Sequence, residues 1–96
     1  MAYFALIDKN DTVIQVLSVN DVYLIQDGIE VEQKGIDYLL NFHKIKEKIE
    51  NIDLIRQCSF SHKFRGCFPG VGSKFDRKSE LFYQINDEKY DGIVNI

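Results

Sequence analysis

A chain of 96 residues, 45% hydrophobic and 28% charged, has the composition of one soluble domain with a modest core and not of a disordered segment. A net charge of −3 and a pI near 5.3 argue against a whole surface that binds nucleic acid indiscriminately, and no apolar run reaches the roughly eighteen residues of a membrane span. Two cysteines are too few to staple a secreted scaffold, and the opening Met-Ala-Tyr-Phe-Ala-Leu-Ile-Asp lacks the basic start and apolar length of a signal peptide, so the expected setting is a reducing cytoplasm with two buried or half-buried thiols.

Residues 3–7 form a short apolar run ended by Asp8, Lys9, Asn10 and Asp11, and residues 12–19 follow, dense in β-branched side chains. Two such runs joined by a polar turn predict an antiparallel hairpin. Simple alternation puts Val13, Leu17 and Val19 on one face and Ile14 and Val16 on the other, which fits a central strand. Asn20 and Asp21 can cap a helical turn through residues 22–26, and Asp27-Gly28 is a turn. From Val31 the spacing becomes helical through Ile36, Leu39, Leu40, Phe42 and His43, with Glu30 and Glu32 near the positive end of the helix dipole. Gly35 inside this pattern marks a place where another backbone packs closely.

Ile45, Ile49 and Ile52 continue the pattern among lysines and glutamates, either prolonging the helix or forming a second short one with a solvated character. Residues 54–60 predict a strand with Leu54, Arg56, Cys58 and Phe60 on one face, and residues 74–76 and 81–85 predict a last hairpin. The tail, residues 86–96, mixes acids with Tyr90, Ile93, Val94 and Ile96, and is expected to dock on its own domain or on a neighbour.

The segment from Phe64 to Tyr83 holds three of the six glycines, the only proline and four of the seven phenylalanines. Gly66, Pro69, Gly70 and Gly72 imply a tightly turning backbone, and the rings imply that it is anchored. Between His62 and Lys78 lie five cations, Lys63, Arg65, Lys74, Arg77 and Lys78, against the single anion Asp76. The acids gather instead in residues 21–32 and 87–91, a dipolar distribution suited to docking on an oppositely charged protein.

Each chemical reading of these residues has a plainer counterpart. Cys58, His62 and Cys67, with His43 upstream, could supply zinc ligands, yet their spacing lacks paired Cys-x2-Cys knuckles. A thiol–imidazole nucleophile needs spatial proximity that sequence proximity does not provide. Gly70-Val71-Gly72-Ser73-Lys74 fails the phosphate-loop pattern because its serine precedes its lysine. Lys63, Arg65 and Lys74 among Phe60, Phe64, Phe68 and Phe75 have the composition of a single-strand nucleic-acid surface, although rings in a small domain mostly build its core. Asp87 and Glu88 form a carboxylate pair in a solvated acidic patch without a partner acid or base. The expectation is therefore no catalytic group, no metal and no cofactor.

Residues 1–16, the segment Val31-Glu32-Gln33-Lys34-Gly35-Ile36, and the late elements Phe64-Arg65, Pro69-Gly70-Val71-Gly72, Phe75-Asp76 and Leu81-Phe82-Tyr83 occur in an order that resembles a group of small virion-associated proteins of tailed bacteriophages, especially marine phages of cyanobacteria. The resemblance covers most of residues 1–85. It departs at the lysine-rich residues 44–52, which replace a shorter connection, and in the tail, which lacks a proline-rich ending. It implies a structural role without catalysis.

Together these readings predict an α+β domain over residues 1–85, a small antiparallel sheet of two hairpins and a further strand packed on one main helix. They also predict a capsid decoration or cement subunit that assembles in the host cytoplasm and resides in the virion. Arg65, Phe68, Lys74, Arg77 and Tyr90 are expected to contact the major capsid protein or another virion protein, with self-association through the tail and no membrane partner. A tail, neck or fibre component is the alternative within that class, and a small single-stranded nucleic-acid-binding phage protein the alternative outside it.

Overall fold

The computed structural model describes residues 1–84 and, for its backbone alone, the strand Ile93–Asn95. The fold is α+β. Strands β1 (Ala2–Ile7) and β2 (Val13–Val19) form the expected antiparallel hairpin, with Phe4 opposite Leu17 and Ala5 opposite Val16. Its turn is set by Asp8, whose carboxylate accepts from the Asn10 and Thr12 amides at 2.9 and 3.0 Å, and by Asp11 in the left-handed region at φ 63°.

A bulge interrupts the register between Leu6, opposite Gln15, and Ile7, opposite Val13. Ile14 is the extra residue, and this corrects the facing read from simple alternation. Val13 shares a face with Val16, while Ile14 packs with Leu17 and Val19.

After β2, Asn20 caps a single 3-10 turn, Asp21–Tyr23, by accepting from the Val22 amide at 3.1 Å. Strands β3 (Ile25–Gln26) and β4 (Ile29–Glu30) then make a small hairpin around Asp27 (φ 53°) and Gly28 (φ 78°). Two successive positive φ values are the signature of a type I′ turn, the geometry that Asp-Gly favours.

The main helix begins as α1 (Glu32–Asp37) and widens over Tyr38–Phe42, where the His43 amide bonds back five residues to the Tyr38 carbonyl at 3.1 Å. Gly35 meets the ring of Phe4 there, so the close approach involves a side chain and not the expected backbone. Lys44 at φ 51° breaks the helix, and the short α2 (Ile45–Lys48) follows. Ile45 is buried, with Ile49 and Ile52 packed around it, so this lysine-rich stretch is seated on the core instead of extending into solvent.

Strand β5 (Leu54–Cys58) pairs antiparallel with β1. Strands β6 (Lys74–Asp76) and β7 (Leu81–Tyr83) form the last hairpin. Among the described residues the larger sheet runs β5-β1-β2-β8, where β8 (Ile93–Asn95) lies parallel to Val16–Ser18 of β2, a pairing that a sequence of consecutive hairpins does not predict. Tyr90 and the tail residues other than β8 lie outside the described residues.

The sheet separates two cores. On one side Phe4, Leu6, Leu17, Val19 and Ile55 meet Leu24, Ile36, Leu39 and Ile45 from the helical layer. On the other, Ala5, Ile7, Val13, Val16 and Cys58 meet Phe68, Phe75 and Phe82 from the loop and last hairpin. The glycine-rich loop is thus the second covering layer of the sheet.

Candidate functional site

The loop between β5 and β6 folds because its polar backbone groups find partners within the domain. The Lys63 amide donates to Ser59 Oγ at 3.0 Å, and the Phe68 amide donates to His62 Nδ1 at 3.3 Å. Gly66, at φ 76°, steps alongside Phe82; a Cβ there would sit 2.8 Å from the Phe82 carbonyl oxygen.

Pro69 and Gly70 are buried, and the Gly70 amide donates to Ser73 Oγ at 3.0 Å. Gly72, at φ 97°, donates its amide to the Val13 carbonyl at 2.8 Å, and the Ser73 carbonyl accepts from the Val13 amide at 2.8 Å. Of the amides that could cradle an anion, Gly72's is spent on β2 and those of Gly70 and Ser73 on closing the turn, the latter on the Gly70 carbonyl at 3.1 Å.

Four of the residues expected to reach a partner are engaged by other groups of this chain. Arg65, at φ 57°, makes a paired ion bridge to Glu32, bonds the Gln57 carbonyl at 3.0 Å, and reaches Glu80 at 3.2 Å. Arg56 reaches the same Glu80 oxygen at 3.1 Å, so two arginines and two glutamates tie α1, β5, the loop and the β6–β7 turn together. Lys74 Nζ holds the β1–β2 turn through the Asn10 carbonyl and Thr12 Oγ1, at 3.0 and 2.7 Å. Arg77 clasps Asp11 and, at 2.7 Å, Asp53. Phe68 is 1% exposed, with its ring edge-on to Tyr3 at 5.3 Å. Phe68 as an outward contact is thus corrected, because its ring is buried in the second core. Arg65 and Lys74 are half-buried and held by partners within the domain, while Arg77 is exposed and its ion pairs lie on the surface.

What faces outward is a neighbouring set. Phe60 is 61% exposed and Phe64 43% exposed, with Lys63 between them and Met1 beside them. Phe60 rests on half-buried Tyr3 and buried Phe68, with ring centroids 5.8 and 5.2 Å away. A groove of about 290 Å³ runs between Met1, Tyr3, Ser59, Phe60, Lys63 and Phe64. It adjoins a second recess of about 380 Å³ whose floor is Glu30, Glu32, Gln57 and Arg65. A third recess, about 430 Å³, lies around the β1–β2 turn and Asp53, away from this face. The sequence signal for Phe60 and Phe64 was their place in a ring-rich segment, which does not say which rings turn inward.

The electrostatics of the site are those of a closed structure. Burial pushes the Glu32 carboxyl up, but bonds from Arg65 and the Gln57 amide outweigh it and hold the group below the usual range. Burial pushes the Cys58 thiol up to about 12, and it also raises half-buried Cys67, whose Sγ donates to the Phe82 carbonyl at 3.4 Å. Both thiols are held protonated, which is the unreactive form. Among the described residues no three His, Cys, Asp or Glu side chains gather where a metal ion could be held. Neither the family models, the curated proteins nor the solved structures compared with this chain contain a match to it.

Proposed function

We propose that this protein is a non-enzymatic structural component of a tailed-bacteriophage particle, and most specifically a decoration or cement subunit attached in many copies to the capsid shell. The observation that carries the reading is the exposed pair Phe60 and Phe64, with Phe60 seated on the rings of Tyr3 and Phe68 and with Lys63 exposed beside them. Exposed aromatics on a rigid base are the anchors that protein interfaces use. The resemblance of most of residues 1–85 to virion-associated phage proteins supports the setting. Many weak identical contacts would then stabilise a shell by avidity.

The same observation weighs against single-stranded nucleic acid as ligand. Of the cations suited by composition to meet phosphate, Arg65 and Lys74 are committed to internal partners, and Glu30 and Glu32 border the face. A tail, neck or fibre station differs from a shell station in copy number. Quantitative mass spectrometry of purified particles tests the reading: copies in proportion to the capsid lattice, lost on Phe60→Ser with Phe64→Ser, are expected. A protein confined to infected-cell cytoplasm and missing from particles overturns it.

A further inference from the structure

A second surface, independent of the virion reading, is built by rings that the helix and the segment before it bring together. Tyr23 stacks on Tyr38 at 4.0 Å and 11°, and Tyr38 stacks on Phe42 at 5.2 Å and 10°. His43 Nε2 bonds the Tyr38 hydroxyl at 2.9 Å, which fixes the middle ring. This three-ring ladder stays open at its end: Phe42 is 72% exposed. Beside Tyr23, the β3–β4 hairpin and the turn before it expose Val22, Ile25 and Ile29, with Leu24 the buried anchor.

The two ends of the ladder carry opposite charge. Residues 20–33, which hold Tyr23, contain four acids and no lysine or arginine. Glu32 is bridged to Arg65 and Asp21 to the terminal ammonium at 3.0 Å, which leaves Asp27 and Glu30 as the acids without an ion pair among the described residues. Phe42 leads instead into Lys44, Lys46 and Lys48, which exceed Glu47 and Glu50 in number and lie exposed. A surface with an apolar centre, an acidic end and a basic end complements itself under a two-fold rotation, because the rotation brings each acidic end onto the partner's basic end.

We infer that the Tyr23–Tyr38–Phe42 face binds a second copy of this chain, forming a closed two-fold dimer with the two ladders antiparallel. The Tyr23 end of each copy lies beside the Phe42 end of the other. The exposed apolar side chains of the β3–β4 hairpin then cover the ring edges, and the acidic and lysine-rich segments form the rim.

The test uses the isolated full chain, so it succeeds or fails separately from virion attachment. Sedimentation velocity across a concentration series to about 1 mM should show a monomer–dimer equilibrium. Phe42→Ala, on an exposed ring, should weaken it at least ~10-fold with an unchanged thermal melt. Asp21→Lys, Gln26→Lys and Asp27→Asn, the last keeping the Asn-Gly turn chemistry, bring residues 20–33 from a formal charge of −4 to 0 and, with Glu32 bridged to Arg65, leave that end basic; Lys46→Glu with Lys48→Glu makes the basic end acidic. Each variant alone should be monomeric, and an equimolar mixture should regain dimer because both ends then match. A wild-type monomer throughout, a dimer indifferent to Phe42→Ala, an open polymer series, or a mixture that stays monomeric overturns the inference.

Discussion

Glu32 and Arg65 together close the free edge of β5. Glu32 Oε2 accepts the Gln57 amide at 2.6 Å, Arg65 Nη1 donates to the Gln57 carbonyl at 3.0 Å, and the two side chains are bridged to each other, Nη2 to Oε1 at 3.0 Å. The ion pair stands where the peptide groups of a further strand would stand, so that edge offers no template for strand addition. Glu32→Ala leaves the half-buried Arg65 guanidinium with only the Gln57 carbonyl and Glu80 and takes the acceptor from the Gln57 amide, and should cost about 1–3 kcal/mol. Glu32→Gln keeps an acceptor for Gln57 and should cost less than the alanine change. Because the folded carboxyl titrates below its ordinary value of 4.5, its stabilisation is complete above that value and is lost as pH falls through the folded pKa. Urea unfolding at neutral pH and again near the acid end should therefore show the gap between wild type and Glu32→Gln closing in acid. A gap that persists unchanged at low pH would rule out this role.

Gly35 sets helix propensity against packing. Alanine there improves the propensity of the main helix by about 1 kcal/mol. Its Cβ, however, would lie 2.3 Å from Cζ of Phe4 and 3.1 Å from Cγ of Leu24, both fully buried. Overpacking should win, with Gly35→Ala destabilising by about 1–3 kcal/mol. Phe4→Leu, harmful alone, should cost less in the Gly35→Ala background, and a double-mutant cycle by thermal unfolding measures that coupling.

Gly66 tests a backbone constraint. Its φ is 76°, and a methyl group there would stand 2.8 Å from the Phe82 carbonyl oxygen. No direction of relief remains, since the obstructing atom belongs to the strand that Gly66 pairs with. Gly66→Ala should cost about 2 kcal/mol or more. Chemical denaturation reads the loss, and a neutral result would mean that the loop does not hold the left-handed step.

Much of the scaffold was legible because local physics decided it. The apolar run and the β-branched run on either side of Asp8–Asp11, Asp-Gly at residues 27 and 28, and helical spacing from Ile36 to Leu40 each need only neighbours in sequence. What was not legible was long-range. The bulge at Ile14 depends on how β2 must reach Val13 to the Gly72–Ser73 backbone. The parallel pairing of β8 depends on where the chain returns. The partners of Arg65 lie 33 residues away at Glu32, so a cluster of cations reads as a charged surface until its acids are found. The Tyr23–Tyr38 stack joins two elements whose periodicities are silent about each other.

The thiols provide a check on the second core. Cys58 lies between the sheet and the phenylalanine layer, with its thiol pushed up to about 12 by burial, while Cys67 is half-buried. Iodoacetamide under native conditions at mildly alkaline pH should label Cys67 before Cys58, and Cys58 should react only on unfolding. Since the folded Cys58 pKa lies above its ordinary value of 9.0, its contribution to stability is full below that value and is lost as pH rises towards 12. Cys58→Ala should remove part of the alkaline loss of stability; peptide-resolved mass spectrometry and alkaline melts read both effects.

Phe60 and Phe68 are adjacent rings, 5.2 Å apart between centroids, yet they should answer substitution in opposite ways. Phe68, at 1% exposure, supports the second core, and Phe68→Ala should cost about 3–5 kcal/mol of folding stability. Phe60 is 61% exposed and touches the same cluster from outside, so Phe60→Ala should change stability by about 1 kcal/mol or less. If the outward rings are the attachment face, Phe60→Ala should reduce incorporation into particles by at least ~10-fold while the purified chain remains folded. Comparing the two variants by thermal melt and by their retention on purified particles separates a ring needed for folding from a ring needed for contact. Equal retention of wild type and Phe60→Ala with Phe64→Ala would move the contact to another part of the surface.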